Sequence, residues 1–170
     1  VPPISEMMVA AVQKANSEII KHVPEGGTTV TAVGVLGDLA YIAHVGDSRA
    51  YLITKDNIEQ ITRDHSLVQR LIELDQITQD EVHDHPQKNV LYRALGQNDN
   101  VEVDITTRRL PPNSRVLICS DGLWGLITEK DLFEIAMNHS DPQQACEKLV
   151  ALANTNGGVD NITVIILKIS

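Results

Sequence analysis

The chain has 170 residues, of which 42% are hydrophobic, 22% charged and only 3% aromatic. That describes an ordinary globular domain with an aliphatic core. Fourteen Lys and Arg against 23 Asp and Glu leave a net charge of -9, which argues against nucleic-acid binding through a basic face. No apolar run approaches the ~20 residues of a membrane span, so neither nucleic acid nor membrane is an expected partner.

The two cysteines, Cys119 and Cys146, match no Cys-x-x-Cys spacing. No disulfide is expected, and a reducing, cytoplasmic setting fits. The start, Val1-Pro2-Pro3-Ile4-Ser5, lacks both the basic and the apolar region of a signal peptide. The chain is therefore expected to begin inside a longer protein.

In chain order, Ser5 reads as an N-cap. Met7, Met8, Ala11, Val12, Ala15, Ile19 and Ile20 follow at helical spacing to about His22. Pro24-Glu25-Gly26-Gly27 ends that helix. Strands are predicted over 28–36 and 39–45, joined at Gly37-Asp38, and over 50–54 and 58–62, joined at Lys55-Asp56-Asn57. Helices are predicted over 66–74 and 78–83, capped by Ser66 and Thr78. Strands over 101–108 and 115–120 follow. A helix capped by Thr128 runs to about Asn138, and another starts at Asp141-Pro142. A last strand contains Ile162–Leu167. No linker or repeat divides the chain, so one domain of antiparallel sheets covered by helices is expected.

Three acidic signatures stand where strands meet glycine-containing turns: Gly46-Asp47-Ser48-Arg49, Ser120-Asp121-Gly122 and Asp160-Asn161 after Gly157-Gly158. Strand ends hold carboxylates rigidly, and clustered carboxylates suit hard cations such as Mg2+ or Mn2+. Each signature also has an ordinary reading. Asp47 and Asp160-Asn161 can be turn residues, and Asp121 can cap a short helix over 122–126. The histidines lack zinc-ligand spacing, Trp124 reads as a core anchor, and the acidic residues from Glu59 to Asp84 read as a solvated face.

Together these segments resemble a known family. Gly27-Thr28-Thr29, His44-Val45-Gly46-Asp47-Ser48-Arg49-Ala50-Tyr51, Ser120-Asp121-Gly122-Leu123 and Asp160-Asn161-Ile162-Thr163 occur in the order of the PP2C-type (PPM) metal-dependent Ser/Thr protein phosphatases. Asp64-His65-Ser66-Leu67-Val68, His85-Pro86 and Arg93-Ala94-Leu95-Gly96 are similar to the flap region of the bacterial members.

The resemblance implies an α+β fold: an antiparallel two-sheet β-sandwich flanked by helices on both outer faces, N-terminally truncated. It implies two or three Mn2+ or Mg2+ ions. Asp121 and Asp160 would bind the second core metal. Asp47, with Asp121, would bind a weaker third. Asn161 would orient Asp160 or a metal-bound water, and Arg49 would be a structural ion-pair partner. His65 or His85 would approach substrate from the flap, and no further catalytic residue is implied. The reaction implied is two-metal hydrolysis of phosphoserine and phosphothreonine. Substrates would be phosphoproteins, paired with a Ser/Thr kinase.

The family's Asp-Gly-x-Gly-Gly segment, whose aspartate bridges the two core metals, has no counterpart here. Residues 1–170 therefore read as the C-terminal larger part of one phosphatase domain, inactive alone and prone to self-association through exposed strand edges. A pseudophosphatase that serves as a binding module is the rival reading. A sporulation-type phosphatase is disfavoured by the long insert Ser66–Gly96.

Overall fold

The structure, a computed structural model, describes residues 3–82 and 84–170. His83, the end of the helix predicted over 78–83, and Val1-Pro2 lie outside the described residues. The chain divides into two compact units, one of Val1–Val35, Ala40–Asp47 and Asp64–Thr107, the other of Leu36–Leu39, Ser48–Arg63 and Arg108–Ser170.

In the first unit, α1 spans Ile4–His22. Its first bond runs from the Met7 N–H to the Pro3 carbonyl. The cap position is therefore Pro3, and Ser5, expected there, lies inside the first turn. Strands β1 (Val30–Leu36) and β2 (Leu39–Val45) form the expected hairpin, with Gly37 at φ +60° in the turn. With β5 (Asp104–Arg109) they make a three-stranded sheet in the order β1-β2-β5. Val12, Ala43, Val45, Leu95 and Val101 form its buried core. Helix α2 (Leu67–Glu73) starts where Ser66 Oγ accepts the Gln69 N–H. The segment around Thr78 forms only a 3-10 turn, Gln79–Glu81, with a capping box.

The strand expected over 101–108 begins only at Asp104. The backbone of Val101 is satisfied instead by the Gln13 side chain of α1, which donates to the Val101 carbonyl and accepts its N–H. With both groups occupied, no ladder forms there.

The second unit is a four-stranded sheet in the order β4-β3-β6-β7, with β3 at Arg49–Ile53, β4 at Ile58–Gln60, β6 at Arg115–Cys119 and β7 at Val164–Lys168. Its three pairings are antiparallel. Strand β4 stops short of the expected Thr62: the Ile61 N–H still donates to the Ala50 carbonyl, but the Ala50 N–H goes to the Thr62 hydroxyl instead of the Ile61 carbonyl. Helices α3 (Asp121–Trp124), α4 (Glu129–Asn138) and α5 (Pro142–Thr155) complete the unit. Thr128 and Asp141 cap α4 and α5 as expected, each side-chain oxygen accepting a first-turn N–H. Tyr51, Ile53, Leu117, Leu123, Leu132, Leu149 and Ile166 lead the core, aliphatic as the composition requires.

The expected class, α+β with two sheets and helices, is the one observed. No disulfide joins Cys119 and Cys146. Among the described residues, no helix is long and apolar enough to cross a membrane.

Candidate metal centre

Two of the predicted ligands are brought together by adjacent strands. Cys119 at the end of β6 pairs with Val164 at the start of β7. Beyond that pair the strands stay joined. The Ser120 N–H donates to the Thr163 carbonyl at 3.0 Å. The Ser120 hydroxyl accepts the Thr163 N–H at 3.0 Å and donates to the Asn161 carbonyl at 3.2 Å. Asp121 and Asp160 therefore leave neighbouring strand ends on the same side of the sheet's edge.

Gly122 closes the gap. A β-carbon there would stand 2.2 Å from the Asn161 carbonyl oxygen and 3.4 Å from the Asp160 β-carbon. Only glycine permits that approach. Each carboxylate is aimed by the next residue's amide: Asp121 Oδ1 accepts the Gly122 N–H at 3.0 Å, and Asp160 Oδ1 accepts the Asn161 N–H at 2.7 Å. The Asn161 backbone amide is thus in contact with the Asp160 carboxylate. Asp121 is half-buried and Asp160 exposed.

Arg49 supports the Asp121 loop from β3. Its guanidinium lies 3.6 Å above the Trp124 ring, and Nη1 donates to the Tyr51 hydroxyl at 3.1 Å. Trp124 packs against the core, as expected of an anchor. Burial pushes the Tyr51 phenol far above its usual range, against the pull of Arg49.

In the first unit, Asp47 is buried at the end of the β2 segment, after Gly46. Gly46 takes φ +115°, and a β-carbon on it would stand 2.4 Å from Thr29 Cγ2. His65 is fully buried and bonded to Gly46 and Asp104. His85 is held in its own turn, its Nδ1 accepting the Gln87 N–H at 3.1 Å. The sequence does not single out Asp104, and it marks Arg93 only within the flap segment. The Asp104 carboxyl is pushed up by burial, but hydrogen bonds from His65 and Arg93 outweigh this and hold it below its ordinary value.

Asp121 and Asp160 are hard oxygen donors at adjacent strand ends, which fits one side of a divalent-cation site. Among the described residues, no group of three or more His, Cys, Asp or Glu could hold an ion alone. The set therefore fits part of a centre. A groove of about 1010 Å³ along α5 and β7 reaches Ile162 and Thr163 but is not lined by Asp121 or Asp160.

The family model for protein phosphatase 2C matches residues 5–82. The serine/threonine phosphatase stp of Listeria innocua is 34% identical over 97% of this chain and 68% of its own length. The chain belongs to the protein phosphatase 2C family. Protein phosphatase PhpP of Streptococcus pneumoniae is 37% identical over 85% of the chain, which spans 58% of that relative. The solved catalytic domain of the serine threonine protein phosphatase PstP, in complex with two manganese ions, superposes with a TM-score of 0.88 at 31% identity. It covers all of this chain and 74% of its own. The protein phosphatase 2C family thus accounts for both units, although its sequence match spans mainly the first.

Proposed function

We propose that residues 1–170 form the C-terminal larger part of one catalytic domain that hydrolyses phosphoserine and phosphothreonine in proteins with the help of Mn2+ or Mg2+. The observation that carries this is the joining of Asp121 to Asp160 through the Gly122–Asn161 contact. It is supported by the manganese bound to the PstP relative. Asp121 and Asp160 would hold one ion, and Asp47 would be a ligand of a weaker one. Ions so held would supply Lewis acidity and would lower the pKa of water enough to provide a hydroxide nucleophile. The chain's own contribution is to fix the carboxylates. The Gly122 and Asn161 amides limit their rotation, and Arg49 on Trp124 steadies the helix that Asp121 begins.

These 170 residues contain no Asp-Gly-x-Gly-Gly segment, so by themselves they are proposed to lack a bridging carboxylate and turnover. Phosphoproteins made by a Ser/Thr kinase are the proposed substrates. Self-association is also proposed, because β7 is an edge strand and Ile165 on it is half exposed. Sedimentation should show concentration-dependent mass, and a constant monomer removes this reading.

The function is tested by calorimetric Mn2+ titration with p-nitrophenyl phosphate and phosphoserine-peptide assays. The 170-residue chain is compared with a polypeptide that adds an Asp-Gly-x-Gly-Gly segment. Weak binding without turnover, then Mn2+-dependent hydrolysis when the segment is present, is expected. Two-ion binding and turnover by the chain alone would overturn the incomplete-site reading. Absence of any metal response with the segment present would instead favour a binding module.

A further inference from the structure

Gly46 precedes Asp47, and glycine by itself would let the carboxylate swing. His65 removes that freedom. Its backbone N–H donates to the Gly46 carbonyl at 2.8 Å, and its ring Nδ1 accepts the Gly46 N–H at 2.9 Å. Both polar groups of Gly46 are thus held by one residue. Because Nδ1 accepts, the proton of the neutral ring sits on Nε2. Nε2 donates to Asp104 Oδ2 at 2.9 Å. Arg93 Nη1 donates to Asp104 Oδ1 at 2.7 Å and to the Glu102 carbonyl at 3.3 Å. The Arg93 nitrogen also lies 3.1 Å from His65 Nε2, a donor facing a donor, tolerated because the Asp104 carboxylate accepts from both.

The same histidine anchors the segment that follows it. The His65 carbonyl accepts the Tyr92 N–H at 3.0 Å, Ser66 bridges to Leu91, and the Leu67 N–H donates to the Val90 carbonyl. Residues 66–92 therefore begin and end at His65. The ring is fully buried, 4.9 Å from the His44 ring, and both nitrogens are engaged, so it cannot approach a substrate.

We infer that His65 is a positioning residue for Asp47, held in register by Asp104 and Arg93, and that it ties residues 66–92 to the placement of that carboxylate. The inference rests on the metal-ligand reading of Asp47 made above. An ordinary core histidine would be replaceable by any side chain of similar volume. A positioning histidine is replaced only by one that still accepts the Gly46 N–H. Asn offers an oxygen near the place of Nδ1, and Leu offers none.

The test follows backbone amide resonances of the full 170-residue chain, with MnCl2 as the probe. Broadening of the Asp47, Asp121 and Asp160 amides in the unmodified chain tests the metal reading alone. Its failure would sink that reading while leaving the Gly46 measurement intact. In His65→Leu, Gly46 amide exchange should rise roughly tenfold, the loss of one hydrogen bond. The Mn2+ concentration that half-broadens Asp47 should rise several-fold, with Asp160 unmoved. His65→Asn should recover most of both. If His65→Leu folds and leaves Gly46 exchange and the Asp47 response unchanged, the proposal is wrong. If it does not fold, Asp104→Asn decides: faster Gly46 exchange supports the relay, and an unchanged Gly46 overturns it.

Discussion

The α-carbon of Gly122 rests against the carbonyl of Asn161, so that a β-carbon would lie 2.2 Å from its oxygen. This contact joins two loops 39 positions apart in sequence, and it makes Gly122 the hinge pin of the candidate centre. Gly122→Ala should force the loops apart at a cost of ~1–3 kcal/mol, the usual range for overpacking. Thermal unfolding should register the loss, and calorimetry should show weaker Mn2+ binding than in the unmodified chain.

Asp121→Ala and Asp160→Ala should behave differently from Gly122→Ala. Each removes a carboxylate whose described hydrogen bond is to its own neighbour's amide. In Asp160→Ala stability should therefore change by no more than ~1 kcal/mol, and in either variant Mn2+-dependent broadening around residues 120–122 and 160–161 should disappear. A variant that keeps the broadening would remove that residue from the ligand set.

Arg49 is nine-tenths buried, with its guanidinium stacked on Trp124. Arg49→Ala should cost ~2 kcal/mol or more, because it loses a desolvated cation–π contact and leaves the Tyr51 hydroxyl without its donor. Arg49→Lys should recover only part, since an ammonium cannot both stack flat and reach the phenol. Trp124 is the only tryptophan, so its fluorescence reports the change directly.

Leu149 on α5 is completely buried among Leu117, Leu123, Leu132 and Ile166. Leu149→Ala should destabilise the second unit by ~2–5 kcal/mol. Chemical denaturation followed at Trp124 measures it.

Asp104 holds its proton less tightly in the fold than in an unfolded chain, where its value is near 3.8. Its ionised form is therefore favoured by folding. The stabilisation is present above that pH and is lost as pH falls through the lower folded value. The part of the acid response that Asp104 carries should therefore set in below its ordinary value of 3.8. Asp104→Asn should abolish that acid dependence, which Gly46 amide exchange across an acid titration would reveal.

The readable parts of the chain were those fixed by local chemistry. Ser66, Thr128 and Asp141 cap helices because a short oxygen-bearing side chain can reach an amide two or three residues on. The Gly37-Asp38 hairpin and the acidic residues at strand ends were legible for the same reason. Where the sequence misled, a distant partner decided. Gln13 on α1 occupies the backbone of Val101, 88 residues away, and a predicted strand start dissolves. His65 looked like a substrate contact, yet Asp104 and Arg93, 39 and 28 positions away, turn its ring inward. No local pattern announces such pairs. The nearest signal was a charge, Asp104, inside a segment expected to be a strand.

The Ser120 hydroxyl, bonded at once to Thr163 and Asn161, has a metrological consequence. It extends the β6–β7 ladder one step past its last strand pair, so the separation of the two loops is graduated by the strand-to-strand repeat of ~4.8 Å. A β-sheet is a stiff ruler that does not depend on an ion to keep its marks. The spacing of the acidic pair is thus inherited from backbone geometry. At the proposed metal site, a cation would meet a spacing already set by the sheet.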